Sequence, residues 1–66
     1  MNHSEKGFLM WSAFSGEEGA PMQAGTFNAI KRLLEKGYIK ETREGIERYV
    51  LTEKGNNEIN KLLREN

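Results

Sequence analysis

Residues 26–37 read TFNAIKRLLEKG, and this stretch decides the fold. Its apolar side chains recur at the spacing of one helix face, namely at Phe27, Ile30, Leu33 and Leu34. Thr26 is a suitable N-cap residue, and a glycine directly after Lys36 is typical of the left-handed residue that ends a helix. The stretch therefore predicts a helix from Thr26 to Lys36, ended by Gly37.

A hairpin is predicted next, formed by residues 38–43 and 46–51 about a Glu44-Gly45 turn. A two-residue turn there gives the pairs Ile39 with Val50, Lys40 with Tyr49 and Glu41 with Arg48. This register leaves Ile39 and Tyr49 on opposite faces, and a longer loop or a bulge would change the pairing. The final helix is predicted to begin after Thr52 as N-cap, with an apolar stripe of Ile59, Leu62 and Leu63.

The chain begins with a predicted helix over residues 4–15, with Ser4 as N-cap and Glu5 in the first turn. Its apolar run is so uniform that a buried strand fits it equally well. The connection 16–25 contains three glycines and Pro21, so it has room for a short edge strand or a single helical turn around residues 20–23.

A chain of 66 residues must place most of its large apolar side chains in one core. We therefore predict a single domain over residues 1–66. Its predicted core comprises Leu9, Trp11 or Met10, Phe14, Phe27, Ile30, Leu34, Ile39, Tyr49, Leu51, Ile59 and Leu62.

The composition argues against catalysis and metal binding. The chain has no Cys and a single His, at His3, and all ten acidic residues are Glu. Disulfides, Cys-His pairs and two-His metal sites are therefore excluded, and we expect no enzyme activity, catalytic residue, metal site or cofactor. The longest apolar stretch, residues 7–14, is far shorter than the roughly 20 residues that span a bilayer. We expect a soluble cytoplasmic protein without a membrane partner.

Two phrases of the sequence resemble a known family. Residues 29–39 read AIKRLLEKGYI, and residues 48–55 read RYVLTEKG. They are similar to the recognition helix, the wing and the following helix of winged helix-turn-helix transcription regulators of the MarR and PadR type. The resemblance covers residues 24–62. It implies an α+β fold, a minimal winged-helix domain of order α–(short β)–α–β–β–α whose supporting helix is shortened or missing.

The resemblance also implies a small DNA-binding protein, a transcription regulator or an accessory to one, with double-stranded DNA as its partner. Helix 26–36 would lie in the major groove, and hairpin 38–51 would act as a wing. The implied DNA-binding residues are Gln23, Asn28, Lys31, Arg32, Lys40, Arg43 and Arg48. Asn28 suits adenine, whereas Lys31 and Arg32 suit phosphate or guanine.

The alternative is a winged-helix module that binds another protein, or a second copy of itself, without binding DNA. The equal numbers of acidic and basic residues, ten of each, favour a near-neutral interface. In that interpretation Lys31 pairs with Glu35 on a solvated helix face, and Arg48 pairs with Glu41 across the hairpin.

Overall fold

The computed structural model of the protein describes residues 2–43 and 47–64, which form a mixed α+β fold. The helices are α1 (His3–Ser15), α2 (Phe27–Lys36) and α3 (Glu53–Arg64), with a single turn of 3-10 helix at Gly16–Glu18. The strands are β1 (Ala20–Pro21), β2 (Ile39–Glu41) and β3 (Arg48–Leu51). They form an antiparallel sheet in the order β1-β3-β2. The element order agrees with the sequence-based prediction, and the Glu44-Gly45 turn lies outside the described residues.

The first helix begins earlier than predicted, because Asn2 and not Ser4 is its N-cap. The Asn2 side chain accepts a hydrogen bond from the Glu5 backbone N–H (2.9 Å), and the Glu5 carboxylate accepts one from the Asn2 N–H (2.8 Å). This reciprocal capping box satisfies two N–H groups that the start of a helix would otherwise leave unpaired. It also draws the Glu5 side chain back along the helix and out of solvent.

The second helix agrees with its predicted bounds, and Gly37 ends it in the left-handed conformation (φ 78°). Beyond this cap, the Tyr38 N–H donates to the Leu33 carbonyl at 3.0 Å. Thr26 occupies the N-cap position, but its hydroxyl bonds the backbone of Gln23 and does not cap the helix.

Thr52 is confirmed as the residue that starts α3, and it also ties α3 to the end of α2. Its hydroxyl accepts from the Gly55 N–H (3.1 Å) and donates to the Gly37 carbonyl (2.5 Å). Gly55 is buried directly against the Tyr38 carbonyl, where a side-chain Cβ would overlap the oxygen. Residue 55 must therefore be glycine for α3 to approach β2 this closely.

The predicted hairpin register is wrong by one residue. Ile39 lies opposite Leu51, Lys40 opposite Val50 and Glu41 opposite Tyr49. Directly opposite residues share a face, so this register places Ile39, Tyr49 and Leu51 together on the core side. The predicted register would have turned Ile39 away from that side, and burial of Ile39 therefore decides between the two.

Three residues predicted in the core lie outside it, and three that were not predicted, Phe8, Ala20 and Leu33, lie inside it. Phe14, Phe27 and Leu34 are exposed by 83%, 64% and 38%. The buried apolar residues that pack together are Phe8, Leu9, Ala20, Ile30, Leu33, Ile39, Tyr49 and Ile59. Met10, Trp11, Leu51 and Leu62 are partly buried against them.

Polar residues within the buried stripe of α1 explain the misplacement of Phe14. That stripe is Glu5, Phe8, Leu9 and Ser12, which follows helical spacing and excludes position 14. Ser12 is tolerated there because its hydroxyl donates to the Phe8 carbonyl at 3.0 Å. In α2, burial of the small residue Ala29 beside Ile30 and Leu33 likewise turns the buried face away from Phe27.

Candidate nucleic-acid interface

The outer face of α2 contains a shallow polar depression of about 330 Å³. Its lining side chains are Asn28, Lys31, Arg32 and Glu35. All of them are exposed, whereas Ile30 and Leu33 on the opposite side of the helix are buried. The packing of α2 therefore presents an amide, an ammonium and a guanidinium group side by side, with one carboxylate among them.

Beneath this face lies a buried carboxylate that the sequence-based prediction treated only as a first-turn anion. The Glu5 side chain is 3% exposed, and its Oε1 atom has no hydrogen-bond partner. Arg32 Nη1 lies 3.8 Å from Oε1, and Lys36 Nζ lies 3.8 Å from Oε2. Among residues 2–43 and 47–64, these are the ion pairs within 4 Å, so Lys31 and Glu35 form none. The Asn2-x-x-Glu5 spacing was the available signal for a Glu5 side chain folded back onto the helix.

The surroundings of Glu5 favour its ionised form. The hydrogen bond from the Asn2 backbone lowers the pKa of the carboxyl group, burial opposes this by raising it, and the charges of Lys36 and Arg32 lower it further. The net effect is a pKa of Glu5 below its ordinary value. A charged carboxylate therefore faces the inner sides of Arg32 and Lys36 at neutral pH.

The hairpin holds Arg48 differently from the predicted cross-strand pair. Arg48 Nη1 donates to the Gly19 carbonyl at 3.1 Å, and Glu41 lies opposite Tyr49. The guanidinium thus ties β3 to the segment that joins α1 to β1, and Arg48 remains exposed overall. Burial raises the pKa of the Tyr49 phenol, and the nearby Glu41 and Glu47 raise it further.

Lys40 lies in a second depression, a largely apolar groove of about 480 Å³. The groove is lined by the end of α1 and by the hairpin, through Ser12, Ala13, Gly16, Glu17, Lys40, Thr42, Val50 and Leu51. Arg43, two residues after the end of β2, is exposed, and Gln23 is exposed in the loop before α2.

The sequence-predicted site residues are therefore all exposed, but only some of them lie together. Asn28, Lys31 and Arg32 share the depression on α2, and Lys40 belongs to the groove beside α1. Gln23, Arg43 and Arg48 line neither depression. The exposed Phe27, at the first position of α2, adds an aromatic side chain next to Asn28.

None of the helices in the described ranges combines the length and the apolar character that a bilayer crossing requires. A scan against protein-family models finds no match, and comparisons with curated proteins and with solved structures find no significant match either.

Proposed function

We propose that the protein binds double-stranded DNA as a minimal winged helix-turn-helix module, with α2 in the major groove and the β2–β3 hairpin as the wing. The observation that carries this proposal is the convergence of Asn28, Lys31 and Arg32 in one exposed depression on α2. A recognition helix needs one buried face to fix it and one polar face to contact DNA. The burial pattern of α2 supplies both.

Each side chain in the depression has a chemical match on DNA. The Asn28 amide can make a bidentate contact with adenine, in which it donates to N7 and accepts from N6. Arg32 and Lys31 suit phosphate oxygens or the O6 and N7 acceptors of guanine. Lys40 and Arg43 on the hairpin would contact the neighbouring backbone and contribute affinity without base selectivity.

The charge distribution sets the expected strength of binding. Glu35 lies in the depression itself, and Glu5 lies behind Arg32 and Lys36. With a net charge of zero, the protein lacks the broad positive field of strongly basic DNA-binding proteins. We expect binding that is weak at physiological salt and clear at low salt.

Fluorescence anisotropy of a labelled random-sequence duplex, titrated at several salt concentrations, tests the proposal. Replacing both Arg32 and Arg43 with Gln should weaken binding and flatten the log-log salt slope by about 2 if each contacts one phosphate. The matched control replaces Lys61 and Arg64 with Gln, which removes the same charge from the exposed end of α3. Equal effects of the two double substitutions, or no duplex binding at low salt, would reject the proposal.

Self-association through exposed apolar side chains is the second candidate. Phe14, Phe27 and Leu63 are exposed by more than half, which is a large exposed apolar area for so small a chain. A homodimer that covers Phe27 would also hide the first turn of α2 from DNA. Sedimentation equilibrium of the wild type and of Phe27→Ser tests this candidate: a dimer that dissociates in the variant supports self-association, and a monomer in both rejects it.

A further inference from the structure

Glu5 lies under Arg32, a cation that α2 would offer to DNA, and under Lys36 on the same helix. Arg32 and Lys36 are one helical turn apart, and each lies 3.8 Å from a different oxygen of the same carboxylate. The Glu5 side chain is 3% exposed, while those of Arg32 and Lys36 are 59% and 42% exposed. One buried anion thus faces the inner sides of two cations whose outer sides are open to solvent.

We propose that Glu5 is a positioning residue that holds Arg32 and Lys36 against α1 and competes with DNA phosphate for them. This inference rests on the proposed DNA-binding function and adds to it the feature that sets the affinity. Phosphate and carboxylate oxygens bind the same donors, so a cation drawn outward to phosphate loses part of its interaction with Glu5. Each contact between one of these cations and a phosphate therefore leaves the buried Glu5 carboxylate with less compensating charge.

The geometry of the two ion pairs favours competition over a rigid structural link. Charge-assisted hydrogen bonds between nitrogen and carboxylate oxygen are typically about 2.7–2.9 Å long. Both separations here are 3.8 Å, and Glu5 Oε1 has no hydrogen-bond partner. The cations are therefore attracted to Glu5 without being locked onto it.

The carboxylate itself is held independently of those cations. Glu5 Oε2 accepts from the Asn2 backbone N–H at 2.8 Å, within the capping box that starts α1. Glu5 consequently stays in place when Arg32 or Lys36 turns outward. Removing its charge should release both cations for phosphate and strengthen DNA binding.

The test is Glu5→Gln, because glutamine can keep the capping-box hydrogen bond and removes only the charge. Anisotropy titrations with a short duplex at low salt should show binding about fivefold tighter than the wild type, the factor that one Coulomb interaction near 4 Å provides in water. The salt slope should also become steeper, since more phosphates are neutralised. Glu18→Gln is the control, because it removes an equal charge from an exposed residue beyond the other end of α1.

A merely structural role for Glu5 would not produce the next result. When Arg32 and Lys36 are both replaced with Gln, adding Glu5→Gln should no longer tighten binding, since the cations through which Glu5 acts are gone. Should Glu5→Gln fail to fold, the wild-type background still decides: Arg32→Gln should weaken binding less than Arg43→Gln, because within residues 2–43 and 47–64 Arg32 is paired with Glu5 and Arg43 is in no ion pair. A larger loss would overturn the inference.

The outcomes separate this inference from the function on which it rests. Unchanged or weaker binding by Glu5→Gln, with clear binding by the wild type, would overturn the role of Glu5 and leave DNA binding intact. A gain no larger than that of Glu18→Gln would do the same. Absence of duplex binding by both the wild type and Glu5→Gln at low salt would overturn both proposals.

Discussion

Leu33 and Leu34 are consecutive residues of α2, yet Leu33 is buried and Leu34 is exposed. Leu33 is 0% exposed and belongs to the core cluster, whereas Leu34 is 38% exposed. Both lie inside the helix, so Leu→Ala changes helix propensity equally at the two positions. Comparing the two substitutions therefore isolates the effect of burial.

The structure gives different costs for the two changes. Leu33→Ala removes a fully enclosed side chain and leaves a cavity, which should lower the free energy of unfolding by about 2–5 kcal/mol. Leu34→Ala opens no closed cavity and loses only part of the free energy of burying a leucine side chain, which should lower the free energy of unfolding by roughly 1 kcal/mol. A domain of this size has a free energy of unfolding of only about 3–10 kcal/mol, so the first substitution removes much of it.

Thermal denaturation followed by circular dichroism measures the difference. At about 4–8 °C per kcal/mol for a small domain, Leu33→Ala should lower Tm by roughly 10 °C or more, and Leu34→Ala by several degrees at most. Equal shifts in Tm, or a larger shift for Leu34→Ala, would refute the orientation assigned to α2 and with it the exposed face of that helix.

Substitutions at four other positions probe the rest of the fold. Gly55→Ala should destabilise the fold by about 1–3 kcal/mol, because its Cβ overlaps the Tyr38 carbonyl. Gly7→Ala, in α1 with nothing within 4 Å of its Cβ, should stabilise by about 0.5–1 kcal/mol, and urea unfolding of both variants checks the opposite signs. The lowered pKa of Glu5 means that its stabilising contribution is present above the ordinary value of 4.5 and is lost as pH falls through the folded-state pKa. The Tm of the wild type should therefore fall more steeply in acid than that of Glu5→Gln, and parallel pH profiles would contradict this. Thr52→Val should cost about 1–2 kcal/mol of stability through loss of the α3 cap, whereas Thr52→Ser should retain most of it.

The local signals of the second half of the chain were sufficient to predict its elements. Gly37 and Thr52 mark the end of α2 and the start of α3 because each acts within a few residues of itself, through a left-handed backbone and a capping hydroxyl. The spacing within α2 also placed Asn28, Lys31 and Arg32 on one face, and the structure brings them together.

Features that depend on contacts between residues far apart in the sequence could not be predicted from local signals. The hairpin register follows from burial of Ile39 beside Tyr49, which no turn signal within the hairpin specifies. Ser12 is buried because its hydroxyl bonds the Phe8 carbonyl, and Glu5 is buried with one carboxylate oxygen bonded to the Asn2 N–H. Hydrophobicity alone therefore assigned the buried stripe of α1 to the wrong residues and placed Phe14 inside. The contacts of Glu5 with Arg32 and Lys36 required the packing of α1 on α2.

The most direct test of the central claim is amide chemical-shift mapping by NMR, with the labelled protein titrated by a short duplex at low salt. The proposed function predicts that the largest shifts fall on residues 28–32 of α2 and 40–43 of the hairpin, while residues 61–64 of α3 stay unchanged. Shifts that are absent at saturating duplex, or that gather around Phe14 and Leu63 instead, would contradict DNA binding through α2 and the hairpin.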